Sequence, residues 1–280
     1  MTTVINIIGA GKLGQTLGRL WVMHKAAQIG AVCNQTIESA QAAVDFIGQG
    51  HVACLETLPP ADVTLITTPD KTIAFIADKL SQLPLKPHSI VMHCSGVLTS
   101  DVLNALKAIP CFVASVHPMK SFARPALSIS TYAPTYCAIE GDAAAKSSLH
   151  ELFSAIGSIV YEINQTNKAA YHTAGIWASN YLILLAEQGV ASLKQAGVDT
   201  LMAQQVIVSL MSKTLANLQE ASPKTALTGP IKRGDVATIT QHLATLELKT
   251  QRLYRLLGQA TLELTEHDAT TKAQLLEVLE

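Results

Sequence analysis

The hexapeptide Gly9-Ala10-Gly11-Lys12-Leu13-Gly14 follows the apolar run VINII (residues 4–8) and precedes a helical stretch, the setting in which this glycine spacing binds a pyrophosphate. The first glycine permits a sharp bend, the second lets phosphate approach the backbone, and the third allows close helix–strand packing. The first helical residues, Lys12 and Leu13, offer free N–H donors. A tight strand-to-helix turn without a ligand is the alternative. About 20 residues on, where an NAD site carries an acid for the ribose hydroxyls, the chain reads Cys33-Asn34-Gln35-Thr36. No carboxylate there repels a 2′-phosphate, and Asn34, Gln35 and Thr36 can donate hydrogen bonds, so NADP is the expected cofactor. NAD stays open because no arginine stands there either. Lys12 is either the compensating charge or a solvated lysine.

Three more apolar runs end in polar residues: Thr67-Thr68-Pro69-Asp70, His93-Cys94-Ser95-Gly96 and His117-Pro118-Met119. Ligands of parallel sheets lie beyond the carboxyl ends of the strands. Thr68 and Pro69 are therefore expected to border the cofactor, and Asp70 either borders it or caps a helix. His93 and His117 can exchange a proton near neutral pH, or simply satisfy loop backbone groups; Ser95 and His117 are expected at the substrate. Cys94 reads as packing. No histidine or carboxylate spacing on one helix suggests a metal site, and none is expected.

Lys168 and His172, four residues apart, project from one helical face roughly 40° apart, and Gly175 and Ser179 continue the stripe. Such a lysine, desolvated beside a histidine, suits proton transfer; a solvated polar pair is the alternative. In Thr228-Gly229-Pro230-Ile231-Lys232-Arg233-Gly234-Asp235, the Arg233 fork can clamp a carboxylate or phosphate, or the segment is only an interhelical turn capped by Asp235.

These residues need elements to hold them. Between residues 4 and 163, seven short β-branched runs alternate with helical stretches, the rhythm of parallel strands joined by helical crossovers. Their near-continuous hydrophobicity fits strands covered on both faces. Prolines 118, 125 and 134 imply a surface loop there. After residue 163 the pattern is helical: 164–194, 198–220 and 236–257, the last capped by Asp235, with 173–190 read as a buried helix. The expected fold is α/β, a doubly wound, mainly parallel Rossmann sheet over 1–163, followed by a smaller all-α domain over 164–280.

A length of 280 residues suits two domains. The 20 basic and 21 acidic side chains leave a formal charge of −1, which disfavours nucleic acid as partner. Hydrophobic residues make up 49% and charged ones 15%, a balance that argues for apolar surface hidden in a subunit interface. Five unpatterned cysteines read as reduced thiols of a cytoplasmic protein. The start, MTTVINIIGAG, lacks the form of a signal peptide, and no stretch is apolar enough for a membrane span.

On GAGKLG (9–14), TTPD (67–70), HCSG (93–96), HPM (117–119), Lys168-x-x-x-His172 and TGPIKRGD (228–235), the sequence resembles uncharacterised bacterial Rossmann-like proteins whose helical C-terminal half is a domain of unknown function. More distantly it is similar to the group with a 6-phosphogluconate-dehydrogenase-like C-terminal domain, which includes β-hydroxyacid dehydrogenases and pyrroline-5-carboxylate reductase. That resemblance implies a homodimer built by the helical domains and a site between domains. In β-hydroxyacid dehydrogenases a lysine and, one turn later, an asparagine handle the substrate oxygen; Lys168 matches the lysine, and His172 stands in place of the asparagine. The resulting expectation is an NADP-dependent oxidoreductase acting on a small, anionic carbonyl, hydroxy or imine compound. Lys168 would transfer the proton, His172 and His93 would orient the substrate, and Arg233 would pair with its charge. A non-catalytic dinucleotide sensor is the alternative.

Overall fold

Valine or isoleucine, whose branched side chains fit a pleated surface, occurs in all of the strands. These are β1 (Val4–Ile8), β2 (Gln28–Cys33), β3 (His51–Val52), β4 (Val63–Ile66), β5 (Ile90–His93), β6 (Phe112–Pro118), β7 (Thr135–Gly141) and β8 (Ser158–Glu162). They form one eight-stranded sheet in the order β3-β2-β1-β4-β5-β6-β7-β8. The computed structural model describes residues 2–280, which divide into two compact units, the first ending at Leu182 and the second running from Ile183 to Glu280.

Successive strand residues enter different cores. Ile5, Ile7, Leu65 and Met92 pack into one cluster, while Ile8, Ile66 and Val91 pack into another, so each strand is apolar on both faces. The first cluster lies under α1 (Lys12–Met23), whose Trp21 donates from Nε1 to Leu152 O at 3.1 Å and meets Phe153 edge-on. Helix α2 (Ile37–Ile47) is capped by Thr36, which accepts from Ser39 N, and ends at Gly48. Helix α3 (Asp70–Leu80) begins after Pro69 and packs into the second cluster through Ile73, Ile76 and Leu80.

The sheet is mainly parallel, as expected; its antiparallel pairing is at β7, which runs against β6, whereas β8 is parallel to β7. The link from β6 to β7 holds only the short α4 (Pro125–Ser130), with Pro125 in its first turn, instead of a long crossover helix, so the chain folds back beside the strand it has left. Helix α5 (Ala143–Ser154) then carries the chain to β8.

Beyond β8 come α6 (Lys168–Gly175), a π-helical stretch Ile176–Tyr181 and α7 (Leu182–Gln195). The expectation of a buried helix over 173–190 is not met within one chain: Trp177 is 62% and Ile183 69% exposed. Their apolar surface lacks a core in the single chain to enter. The second unit continues with α8 (Thr200–Glu220), α9 (Pro223–Ala226), α10 (Pro230–Arg233), α11 (Val236–Thr245), α12 (Leu248–Leu262) and α13 (Ala269–Leu279). Asp199 and Asp235 cap α8 and α11 through the amides of Met202 and Thr238. The single helix expected over 236–257 is two, broken at Leu246 and Glu247. Ile239, Leu243, Leu262, Leu275 and Leu279 form this unit's core.

Candidate functional site

The glycine turn lies where β1 ends, between the ends of β2 and β4. Gly9 has φ +83°, a left-handed conformation that disfavours any side chain, and a Cβ there would sit 2.3 Å from Thr68 Cγ2. A Cβ on Gly14 would meet Thr67 Oγ1 at 2.5 Å, whereas one on Gly11 would have only Gly9 O, at 3.9 Å, for company. The turn is closed on the sheet side and open on the outer side. Its own amides are used: Gly9 N donates to Cys33 O, Ala10 N to Asn34 Oδ1 and Gly11 N to Gly9 O. Gly11 caps helix α1 without a side-chain bond, and the first intrahelical bond is made by Gln15 N to Gly11 O. The amides of Lys12, Leu13 and Gly14 are thus left for an anion. Beside this cradle, Thr68 Oγ1 is buried without a hydrogen-bond partner among the described residues. An open backbone cradle and an orphaned hydroxyl at adjacent strand ends fit a dinucleotide.

Next to the turn, Cys33, Asn34, Gln35, Thr36 and Glu56 help line a 270 Å³ cavity where β2 and β3 end. Gln35 is exposed and free to meet a ligand. Asn34 is more committed than expected: its Oδ1 takes the Ala10 amide and its Nδ2 donates to Ser39 O. It braces the glycine turn against α2. Lys12 and Pro69 are exposed and Leu13 is half-buried.

At the next strand ends the register decides what meets. His93 of β5 pairs with Ser115 of β6, and Ser115 with Glu140 of β7, so three polar residues stand in one row across three strands. Lys168 of α6 lies over that row, 2% exposed, with Nζ donating to Glu140 Oε1 at 2.9 Å and to Ser115 Oγ. Glu140, 4% exposed, also accepts from the amide and hydroxyl of Ser100 at 2.9 and 2.7 Å. Burial pulls the Lys168 pKa below its ordinary value, against the opposing pull of Glu140. The pair is internally satisfied, and Lys168 does not project beside His172 into open space.

His93 is fully buried, with Nδ1 accepting from Ser95 N and Nε2 on Thr99 O, both at 3.1 Å. No ring nitrogen remains for a ligand. Burial, reinforced by the Lys168 ammonium, depresses its pKa to about 4, so the ring is neutral at pH 7. Ser95 is equally occupied: its hydroxyl donates to Asp70 Oδ2 at 2.8 Å and accepts from the amides of Val97 and Leu98. It ties the end of β4 to the end of β5.

Helix α6 climbs β6, with Lys168 on Ser115, Tyr171 on His117 and Gly175 against Met119. His117 Nδ1 is 2.8 Å from Tyr171 Oη, which also donates to His117 O at 3.3 Å. The His117 and His172 rings lie 6.0 Å apart at 64°. Both crowd Gly96: a Cβ there would be 2.4 Å from His172 Cδ2 and 2.9 Å from His117 Nε2. His117 Nε2 makes no hydrogen bond among the described residues and is not among the fully buried unpaired atoms, so it keeps contact with solvent. Burial, then the charges of His172 and Lys168, hold the His117 pKa down at about 4. Arg233 belongs to the second unit, 63% exposed and 3.8 Å from Asp235 Oδ2.

Sequence reasoning missed Tyr171, Glu140 and Ser115. Tyr171 lies three residues from Lys168 and so was on the helical stripe. Glu140 and Ser115 were visible as lone polar residues in apolar strands, but their meeting depends on a pairing no local spacing reveals.

Residues 2–118 match the family described as a Rossmann-like domain, and residues 135–261 match a domain of unknown function, DUF2520. A comparison with curated proteins found no match. Among solved structures, the chain is similar to a provisionally assigned NADP oxidoreductase of Bacteroides fragilis, with TM-score 0.74 and 22% identity over 94% of this chain and 98% of that one. It is similar to protein TM1727 of Thermotoga maritima, with TM-score 0.69 and 24% identity over 98% of both chains. A reductive aminase of Aspergillus terreus in complex with NADPH and ethyl levulinate gives TM-score 0.66 and 14% identity over 98% of this chain and 99% of that one. These likenesses establish the fold.

Proposed function

We propose that the protein is an NADP-dependent oxidoreductase that moves a hydride between the nicotinamide and a small, anionic carbonyl, hydroxy or imine compound. The observation that carries this reading is the glycine turn, closed towards Thr68 but open outward over the start of α1, which no side chain caps. NADP is preferred over NAD because residues 33–36 hold no acid to repel a 2′-phosphate, and the A. terreus reductive aminase of similar fold carries NADPH. Bound NADPH would supply the hydride.

The chain's own contribution comes from the imidazole cluster. His117 and His172 flank Gly96 and are placed to meet and orient the substrate, the role expected of His172 and His93, whereas the polar atoms of Lys168 and His93 are already bonded inside the protein. Lys168 is a positioning residue: its pairing with Glu140 and Ser115 fastens α6 to β6 and β7 and so fixes Tyr171 and His172. Ser95 holds the strand-end loops, and Arg233 supplies an exposed fork for an anionic group.

A homodimer through the helical unit belongs to the same proposal. Helices α7 and α8, 14 and 21 residues long, bury one residue each, Val190 and Ala203. Ile183, Leu201, Val208 and Leu210 are between 59% and 69% exposed. A second copy would cover them.

Turnover tests the reading. NADPH consumption across a panel of small carbonyl and imine acids should be detectable for at least one compound and fall at least about 100-fold in His117→Asn with NADPH affinity retained. Full activity in that variant would remove His117 from the chemistry. Binding of NADPH without turnover of any compound would favour the sensor reading.

A further inference from the structure

The His117–Tyr171 contact carries more than position. Tyr171 Oη has one hydrogen and meets His117 twice, at Nδ1 (2.8 Å) and at O (3.3 Å), with the Tyr161 hydroxyl as a further neighbour. The carbonyl oxygen can only accept. Both contacts are satisfied together only when the hydroxyl donates to the carbonyl and Nδ1 donates to the hydroxyl. In the opposite tautomer, Tyr171 would spend its hydrogen on Nδ1 and set two oxygen lone pairs against each other. With the proton on Nδ1, the open atom Nε2 is a bare acceptor.

We infer that Tyr171 holds His117 in the Nδ1–H tautomer, so that Nε2 meets the substrate as an acceptor and selects a reacting group that carries its own hydrogen, an iminium or amine nitrogen, over a bare ketone oxygen. The inference rests on the oxidoreductase reading and narrows its substrate class. A ketone oxygen facing Nε2 would oppose two lone pairs, whereas an iminium N–H donates to it.

The electron balance suits the same choice. In reduction, the hydride adds to the carbon of C=N–H⁺, the π pair becomes the nitrogen lone pair, the N–H hydrogen stays on nitrogen, and NADPH ends as NADP⁺. No proton passes to the protein. An alcohol would also donate to Nε2, but its oxidation must leave a proton on the imidazole. The site resists that charge, because His117 is largely buried beside His172 and Lys168, which outweigh the opposing pull of Asp70. An amine's oxidation to iminium releases no proton to the ring.

The test uses full-length protein with ¹⁵N-labelled histidine. Long-range proton–nitrogen correlation, assigned with His117→Asn, should show His117 protonated on Nδ1 in the wild type and shifted towards Nε2–H in Tyr171→Phe. A merely structural tyrosine would not move that signature. In parallel, kcat/KM with NADPH is compared for a cyclic imine and the ketone of matching ring and carboxylate. The imine should be preferred, and the imine-to-ketone ratio should fall at least about tenfold in Tyr171→Phe, with melting curves showing the variant folded. A wild-type Nε2–H tautomer, or a ratio unmoved by the variant, would overturn the inference while leaving the oxidoreductase reading intact. An Nδ1–H tautomer in a protein that reduces neither these two nor any other compound of the panel would instead overturn the oxidoreductase reading and the substrate selection built on it.

Discussion

Lys168 and Glu140 form a buried pair whose atoms are satisfied by Ser100 and Ser115, so removing one partner strands the other's charge in the interior. Lys168→Met is expected to cost about 3–5 kcal/mol of stability, and Lys168→Met with Glu140→Leu to recover most of it; denaturant melts of the three proteins measure this. A double variant no more stable than the single would show that the pair does not act as a unit. The buried imidazoles give a second prediction. His93 and His117 titrate near 4 in the fold against about 6.5 when unfolded, so between these values the unfolded chain binds more protons. Both rings are neutral in both states above that window and cost nothing there. Stability should therefore fall as pH drops from about 6.5 towards 4, and His93→Gln should flatten the decline; melting temperatures across that range would show it. Neither prediction was open to the sequence, where Lys168 read as a proton donor and His93 as a substrate ligand. Burial is set by what packs above a residue, and α6 packs across a strand pairing whose members lie 28 and 53 residues from Lys168 in sequence.

Local signals were readable wherever a neighbouring residue suffices to make the structure. The glycine turn needs only the strand before it and the helix after it, and the cap at Asp235 reaches an amide three residues on. Failures came where an element's fate depends on distant partners. The reversal of β7 was hidden because its apolar run looks the same in either direction, and the break at Leu246 and Glu247 interrupts a pattern that stays helical on both sides. The convergence on Gly96 is likewise tertiary, since the end of β5, the end of β6 and α6 each supply one wall. Gly96→Ala forces His117 and His172 apart. It is expected to abolish turnover and leave NADPH affinity within about threefold, because the glycine turn sits on other strands; calorimetry beside an activity assay separates the two effects.

For the whole molecule, two units serve different ends: the sheet presents the strand-end cluster, and the helical unit carries apolar surface that a single chain leaves bare. No helix among the described residues is long and apolar enough to cross a membrane. Sedimentation should give twice the chain mass, and Ile183→Asp with Leu210→Asp should shift the protein to monomer; a wild-type monomer would leave that face without the proposed partner. The central claim is that the N-terminal glycine turn binds a dinucleotide. Calorimetric titration of the wild type and Gly9→Val with NADPH and NADH tests it most directly. The account predicts one-to-one NADPH binding, tighter than NADH, that is lost in the variant whose side chain must displace Thr68. Absence of heat with both nucleotides, or unchanged affinity in Gly9→Val, would contradict it.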